Sequence, residues 1–577
     1  MKNVRRLRQR IFVASQKNDL KRVRSLQKLM LRSRSNILMS VRRVTQVNDG
    51  KNTPGVDKLT VKTPKARGAM VDRLSTNTPW KARPGRRVYI PKSNGKTRPL
   101  GIPVMEDRAR QAIVKNALEP FWEARFEGTS YGFRPGRSTH DAIEKIFGFA
   151  RPNQTMKWVV DADIKGAFDN IAHDHLLETI GPVPGRELIK QWLKAGYVEE
   201  EVWHSTESGT PQGGVISPLL ANIALHGMEK LLGIRYLPGD TSRRSKASNP
   251  RAVIRYADDF VVFCQSREDA EKVIMELKGW LALRGLQLSE EKTRIVHLTE
   301  GFDFLGFTVK NYKVDNTKTG YKLLITPSKE KVNELQERLR TEWLGLSGHS
   351  INRVLQRLNP IIRGWANYFR YGVSSKTFKD LDFFMWNREK RWGKRAHPHK
   401  PVKWRNARYW GRLNLRRQDR WVFGNTRTGV YLNKFIWFPV ERHILVKGQN
   451  SADDPVLQDY WKKRKLDRCK DLRLSDRKIV VRQKGVCPVC GDSLFNGELT
   501  GLIAPGGEEI QRHHKKPKSE GGPDTYRNLQ FQHLFCHQKT HAQKGVNENR
   551  RPTNEEMVAE ERAKLRSLLA LDDDFKW

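Results

Sequence analysis

Apolar and polar residues alternate along this 577-residue chain in patterns that predict both strands and helices. Two apolar runs, residues 253–254 and 260–263, flank Tyr256-Ala257-Asp258-Asp259, which predicts a hydrophobic hairpin with two adjacent carboxylates at its turn. A third run, residues 158–160, ends in acid and predicts a buried strand followed by a turn. The acids at the ends of these strands are the first candidates for chemistry.

Helical spacing of apolar residues marks three further segments. Their members recur at intervals of three and four, which predicts amphipathic helices, and Pro360 predicts a kink or a junction in the last one. The apolar positions are Val23, Leu26 and Met30, then Val332, Leu335, Leu339 and Trp343, then Val354, Leu355, Leu358, Ile361, Ile362 and Trp365. No apolar run approaches the roughly 20 residues of a membrane span, so no membrane partner is expected.

Adjacent carboxylates in a turn are usually solvated, but here a third acid lies upstream in similar surroundings. Asp161 and Asp163 share one face of their strand, and the pattern alone does not choose between them. Burying carboxylates together costs several kcal/mol, on the order of the penalty for unpaired ions, unless a cation compensates them. A divalent metal such as Mg²⁺ is the natural compensator.

Charge points to a polyanionic partner. Lys plus Arg number 108 and Asp plus Glu number 63, a net charge of +45, which predicts strongly salt-dependent binding of nucleic acid. Residues 2–45 contain a single acid, Asp19. Residues 386–421 are basic and contain aromatics that could stack on bases or, alternatively, pack in a core beneath solvated faces. These aromatics are Trp386, Trp392, Trp404, Tyr409, Trp410 and Trp421.

Cysteine and histidine pairs near the carboxyl end predict a second, independent site. Cys487 and Cys490 form one pair with a two-residue spacer, and His533 and Cys536 form another, a donor set that suits tetrahedral structural zinc. A disulfide is disfavoured, because the chain has only five cysteines and no secretory start. Another imidazole could replace His533 as the fourth ligand.

Two of the acidic blocks resemble the catalytic blocks of reverse transcriptases. They are Asp163-Ile164-Lys165-Gly166-Ala167-Phe168-Asp169 and Tyr256-Ala257-Asp258-Asp259. Further blocks of that family follow in its order, at residues 90–103, 130–135, 209–223, 286–293 and 302–307. Residues 51–57 and 359–369 narrow the resemblance to the proteins encoded within group II introns.

The resemblance implies roles for individual residues. Asp163, Asp258 and Asp259 would bind two Mg²⁺ ions and catalyse nucleotide transfer. The residues that it places at the substrate are Lys92 and Arg98 at the triphosphate, Phe168 at the ribose 2′ position, Gln212 near the nascent base pair, and Ile164 and Lys292 in the same blocks.

The segment around the zinc pairs resembles an HNH nuclease with a ββα-metal fold. His537 and His541 are four residues apart, so they share a helix face. By the resemblance they hold one divalent ion together with His513, His514 is the general base, and Asn528 braces the hairpin.

The expected fold is multidomain α+β. It comprises a right-hand polymerase with fingers and an antiparallel palm sheet, a helical thumb, a basic DNA-binding region and the HNH domain. The expected boundaries are 1–320 for fingers and palm (with a basic helical region at 1–45), 321–395 for the maturase or thumb domain, 396–480 for the DNA-binding region and 481–577 for the HNH domain.

By the resemblance, the protein copies RNA into DNA, assists the splicing of its group II intron RNA and nicks target DNA. Its partners would be that RNA, the target DNA, an RNA template with a DNA primer, and dNTPs, in a prokaryotic cytoplasm. A splicing factor with an inactive polymerase and a domesticated or defence-associated reverse transcriptase are the competing hypotheses. The bound intron, the oligomeric state and the role of the 239–250 loop, whether disordered or ordered by RNA, are left open.

Overall fold

The computed structural model describes residues 2–76, 79–91, 95, 97–235, 250–414, 417–467, 472, 474–491, 493–494 and 510–545. Lys92 and most of the 239–250 loop therefore lie outside the described residues. The chain divides into two compact units. Unit 1 comprises Met1–Phe302, Asn311–Leu323 and Ile444–His537, and unit 2 comprises Asp303–Lys310, Leu324–His443 and Gln538–Trp577.

Helices account for most of the regular structure. In chain order they are α1 Lys2–Gln16, α2 Leu20–Arg32, α3 Arg34–Arg42, α4 Pro64–Ser75, α5 Met105–Glu123, α6 Thr139–Ala150, α7 Ala167–Asn170, α8 His173–Ile180, α9 Arg186–Lys194, α10 Ser217–Ala224, α11 Met228–Leu231, α12 Arg267–Ala282, α13 Lys329–Gly345, α14 Ile351–Phe369, α15 Ser375–Ala396, α16 Val402–Tyr409, α17 Gln458–Asp467, α18 Leu474–Arg482 and α19 Leu534–Gly545. None of the helices in the described part of the chain combines the length and the apolar character that a membrane span requires.

The strands are short and form five separate sheets among the described residues. They are β1 Gly85–Pro91, β2 Thr97–Ile102, β3 Trp158–Asp163, β4 Tyr197–Glu199, β5 Val202–His204, β6 Ala252–Tyr256, β7 Asp259–Cys264, β8 Arg294–His297, β9 Phe302–Phe304, β10 Phe307–Lys313, β11 Tyr321–Pro327, β12 Trp410–Gly411, β13 Val422–Phe423, β14 Ile510–His514 and β15 Leu529–His533.

The central sheet of unit 1 has the strand order β6-β7-β3-β8, and each pair of neighbours is antiparallel. The predicted hairpin is confirmed as β6 and β7, because the apolar run Phe260–Phe263 is completely buried. Side chains from α5, α8, α10 and α12 complete the hydrophobic core around this sheet. A second sheet of unit 1 has the order β2-β1-β4-β5.

The amino-terminal helices of unit 1 show why so basic a segment folds. The predicted apolar face of α2 is confirmed, because Val23, Leu26 and Met30 are buried in a cluster with residues of α1 and α5. The single acid of the segment, Asp19, caps α2 by accepting a hydrogen bond from the backbone N–H of Arg22 at 3.0 Å. Most of the basic side chains are exposed, with Arg8 among the exceptions.

Unit 2 is mainly helical. The predicted stripes are largely confirmed in α13 and α14, where Leu335, Leu339 and Leu358 are among the buried residues. Pro360 lies inside α14 on an exposed side, so the predicted junction is wrong and the helix continues through it.

The aromatic residues of the 386–421 segment serve two purposes. Trp392, Tyr409 and Trp410 are buried, and their rings pack against Phe423, so they form a core and not a stacking surface. Trp421 is 50% exposed and still makes an edge contact with a neighbouring ring, Trp386. The interpretation of this segment as a base-stacking surface is therefore wrong for the buried members, because neighbouring side chains cover their rings.

Candidate functional site

The register of the central sheet brings the three predicted acids of unit 1 together. Asp163, the last residue of β3, pairs directly with Asp259, the first residue of β7. Asp259 also pairs with Tyr256 across the tight turn of the hairpin, which places Asp258 within that turn. Residues 256–259 are called the acidic turn below. Two strands that are almost a hundred residues apart in sequence thus present carboxylates at one end of the sheet.

The same register distinguishes Asp163 from Asp161. Asp161 lies opposite Arg294 of β8, and its Oδ2 accepts from the Arg294 Nε at 3.0 Å. Asp163 lies at the end of β3 that is next to the acidic turn, and its Oδ2 contacts the Lys292 Nζ at 2.5 Å. Asp161 is therefore held within the sheet, whereas Asp163 faces the other acids.

Electrostatics at the acidic turn favour a cation. Desolvation by the surrounding protein, the neighbouring Asp258 and Asp163, and a hydrogen bond with Asp163 raise the pKa of Asp259 to about 7. Desolvation and the Asp163 charge also raise the pKa of Asp258, against the positive charges of Arg98 and Lys292. Crowded carboxylate oxygens of this kind are the donor set that Mg²⁺ takes in proteins, so the three acids fit a divalent metal site.

A buried arginine that the sequence analysis missed supports the acidic turn from below. Arg255 is 2% exposed and donates to the backbone carbonyl of Ala257 at 3.0 Å, to the Asn222 Oδ1 at 3.1 Å and to the Ser130 Oγ at 2.7 Å. Asn222 in turn donates to the carbonyl of Gly132 at 2.8 Å. Three blocks of the sequence therefore converge on the backbone of one turn.

Two residues show how tightly this turn is packed. Ala257 has a φ of 60°, a left-handed conformation that is uncommon for a residue with a side chain. A Cβ at position 132 would lie 2.4 Å from the Ala257 nitrogen, so only glycine allows the two backbones to meet. The sequence did contain a signal for the role of Arg255, because it is the one charged residue in an otherwise apolar strand.

The predicted nucleotide-binding residues are distributed unevenly around the acids. Arg98 lies on β2 and is exposed, and its charge lowers the pKa of Asp258. The exposed Lys292 is paired with Asp163, and the hydrogen bond between them raises the pKa of Lys292. Ile164 is 1% exposed and belongs to the hydrophobic core, so its side chain does not line the site. The substrate-binding role of Ile164 stays a prediction, which the burial of its side chain does not favour.

Phe168 and Gln212 line one cavity of about 320 Å³ in unit 1. The Nε2 of Gln212 donates to the Asp169 Oδ2 at 2.8 Å. The backbone carbonyl of Gln212 accepts from the Gly101 N–H at 2.7 Å. Gly213 follows with a φ of 118°, in the region that favours glycine. The cavity is thus bounded by β1, β2 and the turn that carries Gln212, and its size suits a small organic group.

The four predicted zinc ligands form one cluster. Ligand atoms of Cys487, Cys490, His533 and Cys536 all lie within 4.8 Å of one another. The Nδ1 of His533 faces the Cys490 Sγ at 3.2 Å, and its Nε2 contacts the carbonyl oxygen of Ser493 at 3.0 Å. That carbonyl leaves Nδ1 free to act as a ligand, an arrangement common for metal-bound histidine. Three sulfurs and one imidazole nitrogen fit a tetrahedral metal site, and sequence reasoning had no signal for Ser493.

A second group of imidazoles lies on the adjoining hairpin and helix. His513 of β14 and His537 and His541 of α19 place their ring nitrogens within 4.8 Å of one another, a set that could hold a metal ion. His514 is not in this group, and its Nε2 contacts the Asp524 Oδ1 at 3.0 Å. Asp524 was also missed by the sequence analysis.

Asn528 joins the two ends of the loop between β14 and β15. Its Oδ1 accepts from the Lys516 N–H at 2.9 Å, and its Nδ2 donates to the carbonyls of Lys516 and Pro523, both at 2.9 Å. The side chain therefore fixes the loop that follows His514 and does not point to a ligand by itself.

Comparison with protein families divides the chain into four matched regions. Residues 90–309 match the reverse transcriptase (RNA-dependent DNA polymerase) family, and residues 1–74 match the N-terminal domain of reverse transcriptase. Residues 332–410 match the group II intron maturase-specific domain, and residues 487–543 match the HNH endonuclease family. All four regions contain the residues that the sequence analysis singled out.

Two curated relatives are similar over the first part of the chain. Protein YkfC of Escherichia coli K12 is 36% identical over 304 residues, which are 47% of this chain and 79% of YkfC. The group II intron-encoded protein LtrA of Lactococcus lactis is 32% identical over 382 residues, which are 52% of this chain and 62% of LtrA. The matched part of LtrA is thus under two thirds of that protein.

Among solved structures, telomerase from Candida albicans with a fragment of telomeric RNA aligns at a TM-score of 0.30 and 14% identity. The alignment covers 55% of this chain and 59% of the telomerase chain.

Proposed function

This chain belongs to the group II intron-encoded proteins, a family with reverse transcriptase, maturase and HNH endonuclease domains, and from that premise we propose that it is an RNA-directed DNA polymerase. The observation that carries the proposal is the register of the central sheet, in which Asp163 lies opposite Asp259. Splicing assistance for its own intron RNA and nicking of target DNA complete the proposed cycle.

Each residue around the acids has a proposed part in nucleotide addition. Asp163, Asp258 and Asp259 would hold Mg²⁺, which when bound lowers the pKa of a primer 3′-hydroxyl and stabilises the leaving pyrophosphate. Lys292 orients the Asp163 carboxylate by their contact. Arg98, with Lys92, offsets the charge of the incoming triphosphate.

The cavity lined by Phe168 and Gln212 is the proposed site for the nascent base pair. Phe168 lies on its wall, where a ring would exclude a ribose 2′-hydroxyl, and Gln212 is oriented by its hydrogen bond to Asp169. Discrimination of this type needs a rigid wall. The backbone bond from the Thr210 N–H to the Phe168 carbonyl, at 2.6 Å, supplies such a constraint.

Primer extension on an RNA template tests the polymerase assignment. Asp258→Ala with Asp259→Ala should abolish DNA synthesis while RNA binding stays nearly unchanged. Asp161→Ala is the matched control, because Asp161 lies on the same strand and is paired with Arg294. Residual synthesis by the double variant, or equal loss in the control, would contradict the assignment of the metal-binding acids.

Domain names for the remaining parts follow from the family. We assign the β2-β1-β4-β5 sheet to the fingers, the central sheet to the palm, and α13 to α15 to a thumb that holds the primer–template duplex and intron RNA. The boundaries at 320, 395 and 480 remain predictions. The surplus of basic residues suits each of these nucleic-acid contacts.

The carboxyl-terminal cluster is the proposed nuclease. The cysteines and His533 would hold structural Zn²⁺, and His513, His537 and His541 would hold one divalent ion, which when bound polarises the scissile phosphate. His514 takes the proton of the attacking water, and Asn528 fixes the loop that follows His514. His514→Ala should abolish nicking of target DNA by the ribonucleoprotein, and undiminished cleavage would remove His514 from the mechanism.

A further inference from the structure

A small cavity in unit 2 lies between the carboxyl end of α13 and the second half of α15. Its volume is about 40 Å³, and its wall includes Trp343 of α13 and three arginines of α15, Arg388, Arg391 and Arg395. The arginines are three and four residues apart, so they share one face of the helix. We call this cavity the arginine pocket.

The three arginines of the arginine pocket have no ion-pair partner among the described residues, although Arg391 and Arg395 are also exposed to solvent. The nearby acids are engaged elsewhere. Glu337 pairs with Arg340 of α13, and Glu342 binds the guanidinium of Arg357 at 2.6 and 2.8 Å. Burial and then the charges of Arg340, Arg391 and Arg395 lower the pKa of Arg388, against the opposing charge of Glu337.

The end of α13 does not supply the missing negative charge. A helix carboxyl end carries about half an elementary charge, which is less than three guanidinium groups require. Its carbonyls also have other donors, since the Leu344 carbonyl accepts from the Ser347 N–H and the Leu346 carbonyl accepts from the Trp392 Nε1 at 2.9 Å. Like charges at this spacing on a helix repel one another, and an anion bound between them would relieve that repulsion.

A buried donor in the same wall gives an independent indication. Trp343 is 4% exposed, and its indole N–H has no hydrogen-bond partner among the described residues. A buried N–H without a partner is destabilising, because it has lost its hydrogen bond to water. The only other indole in the wall, that of Trp392, is satisfied by the Leu346 carbonyl. An acceptor bound in the pocket would satisfy the Trp343 donor.

We propose that the arginine pocket binds a phosphate group, supplied by the backbone of a bound RNA. Guanidinium forks match the oxygens of phosphate in charge and in geometry, and an indole N–H adds a neutral donor. The pocket has room for only a few water-sized groups, so it would take the oxygens of one phosphodiester group and would exclude a base. The RNA source rests on the proposed function of the chain, whereas the anion site rests on the pocket alone.

The indole N–H resonance of Trp343 in the full-length protein tests this proposal. The resonance is assigned by its loss in Trp343→Phe, which preserves the packing of an aromatic ring and removes the donor. Addition of a short mixed-sequence single-stranded RNA should shift it in the wild type. Arg388→Gln with Arg391→Gln and Arg395→Gln should abolish the shift and lower RNA affinity about tenfold at ~0.1 M salt, as expected for one lost phosphate contact.

A charge-matched control separates a site from a general loss of positive charge. Lys376, Lys379 and Lys394 lie on α15 and are exposed, and none of them lines the pocket. Their replacement by glutamine should leave the Trp343 shift intact and reduce RNA affinity less than the arginine variant does. Equal losses of affinity in the two triple variants, with no shift of Trp343, would overturn the proposal.

Titration with inorganic phosphate distinguishes the two sources of the anion. A Trp343 shift with RNA at concentrations where inorganic phosphate gives none supports a phosphodiester ligand. A shift with inorganic phosphate alone overturns the RNA source and assigns the pocket to free phosphate, and no shift with either overturns the site. Replacement of the three arginines by lysine keeps the charge and covers the case in which the glutamine variant fails to fold. The Asp258→Ala, Asp259→Ala variant should still show the RNA shift, so a failed polymerase assignment is distinguishable from a failed pocket.

Discussion

A buried carboxyl group should make the stability of unit 2 depend on pH near neutrality. Glu389 of α15 is 9% exposed, and the nearest donor to its Oε2 is the Trp410 Nε1 at 3.4 Å. Burial raises the pKa of Glu389 to about 8, against the hydrogen bond from Trp410 and the charge of Lys434. The folded protein therefore holds a proton at pH 7 that the unfolded chain has released.

The direction and size of the effect follow from this difference. Because the folded-state pKa of Glu389 lies above the unfolded value of about 4.5, its contribution is fully present below pH 4.5 and is lost as the pH rises through 8. Within that window one proton is taken up on folding, so the free energy of unfolding should fall by up to about 1.4 kcal/mol per pH unit. Glu389→Gln keeps the shape of the side chain and should remove this slope.

Hydrogen exchange of the α15 amides measures the local free energy of opening at each pH. The variant should exceed the wild type by about 2 kcal/mol or more at pH 8 and converge with it below pH 5. Asp380→Asn, on an exposed position of the same helix, is the control and should leave the profile unchanged. Parallel profiles for Glu389→Gln and the wild type between pH 5 and 8 would refute the argument.

Three further predictions concern unit 1. Arg255→Lys cannot reproduce all the donors beneath the acidic turn. It should raise the Mg²⁺ concentration for half-maximal primer extension about tenfold, equivalent to one lost hydrogen bond, and should change the rate less at saturating Mg²⁺. An unchanged Mg²⁺ dependence would exclude this positioning role. Asp453→Ala should lower the free energy of unfolding by about 3 kcal/mol, because it removes the bidentate partner of Arg8, and a loss under 1 kcal/mol in denaturant titrations would contradict it. Cys490→Ser should remove one equivalent of bound zinc by elemental analysis and increase exchange in β14 and β15, whereas Cys264→Ser, at a buried position outside the cluster, should retain the zinc.

Local pattern was sufficient wherever the chemistry depends on neighbours in sequence. The hairpin around Asp258 and Asp259 and the two pairs of metal ligands were predicted from spacing, because strand period and ligand geometry are both short-range. The choice between Asp161 and Asp163 was not, since it depends on which residue meets Arg294 across β8. The family resemblance made that choice, and the register of a third strand gives the physical reason for it.

Contacts between distant segments mark the limit of sequence reasoning more clearly. Arg8 contacts both Asp453 and Glu119, and Asp141 accepts from Arg464 and from the Val446 N–H. These acids and bases look like ordinary surface charges in the sequence, because nothing within a helix turn of either partner indicates burial. Their pairing ties residues 444–467 into unit 1.

The acidic turn explains why separated blocks must occur together for the site to form. Its left-handed Ala257 is held because Arg255 binds the Ala257 carbonyl, and Arg255 is held in turn by Asn222 and Ser130. A change at Ser130 or Asn222 would therefore replace none of the metal-binding residues. It would still release the turn that presents Asp258. The expected signature is a higher Mg²⁺ requirement for primer extension without loss of RNA binding, which separates support of the site from ligation of the metal.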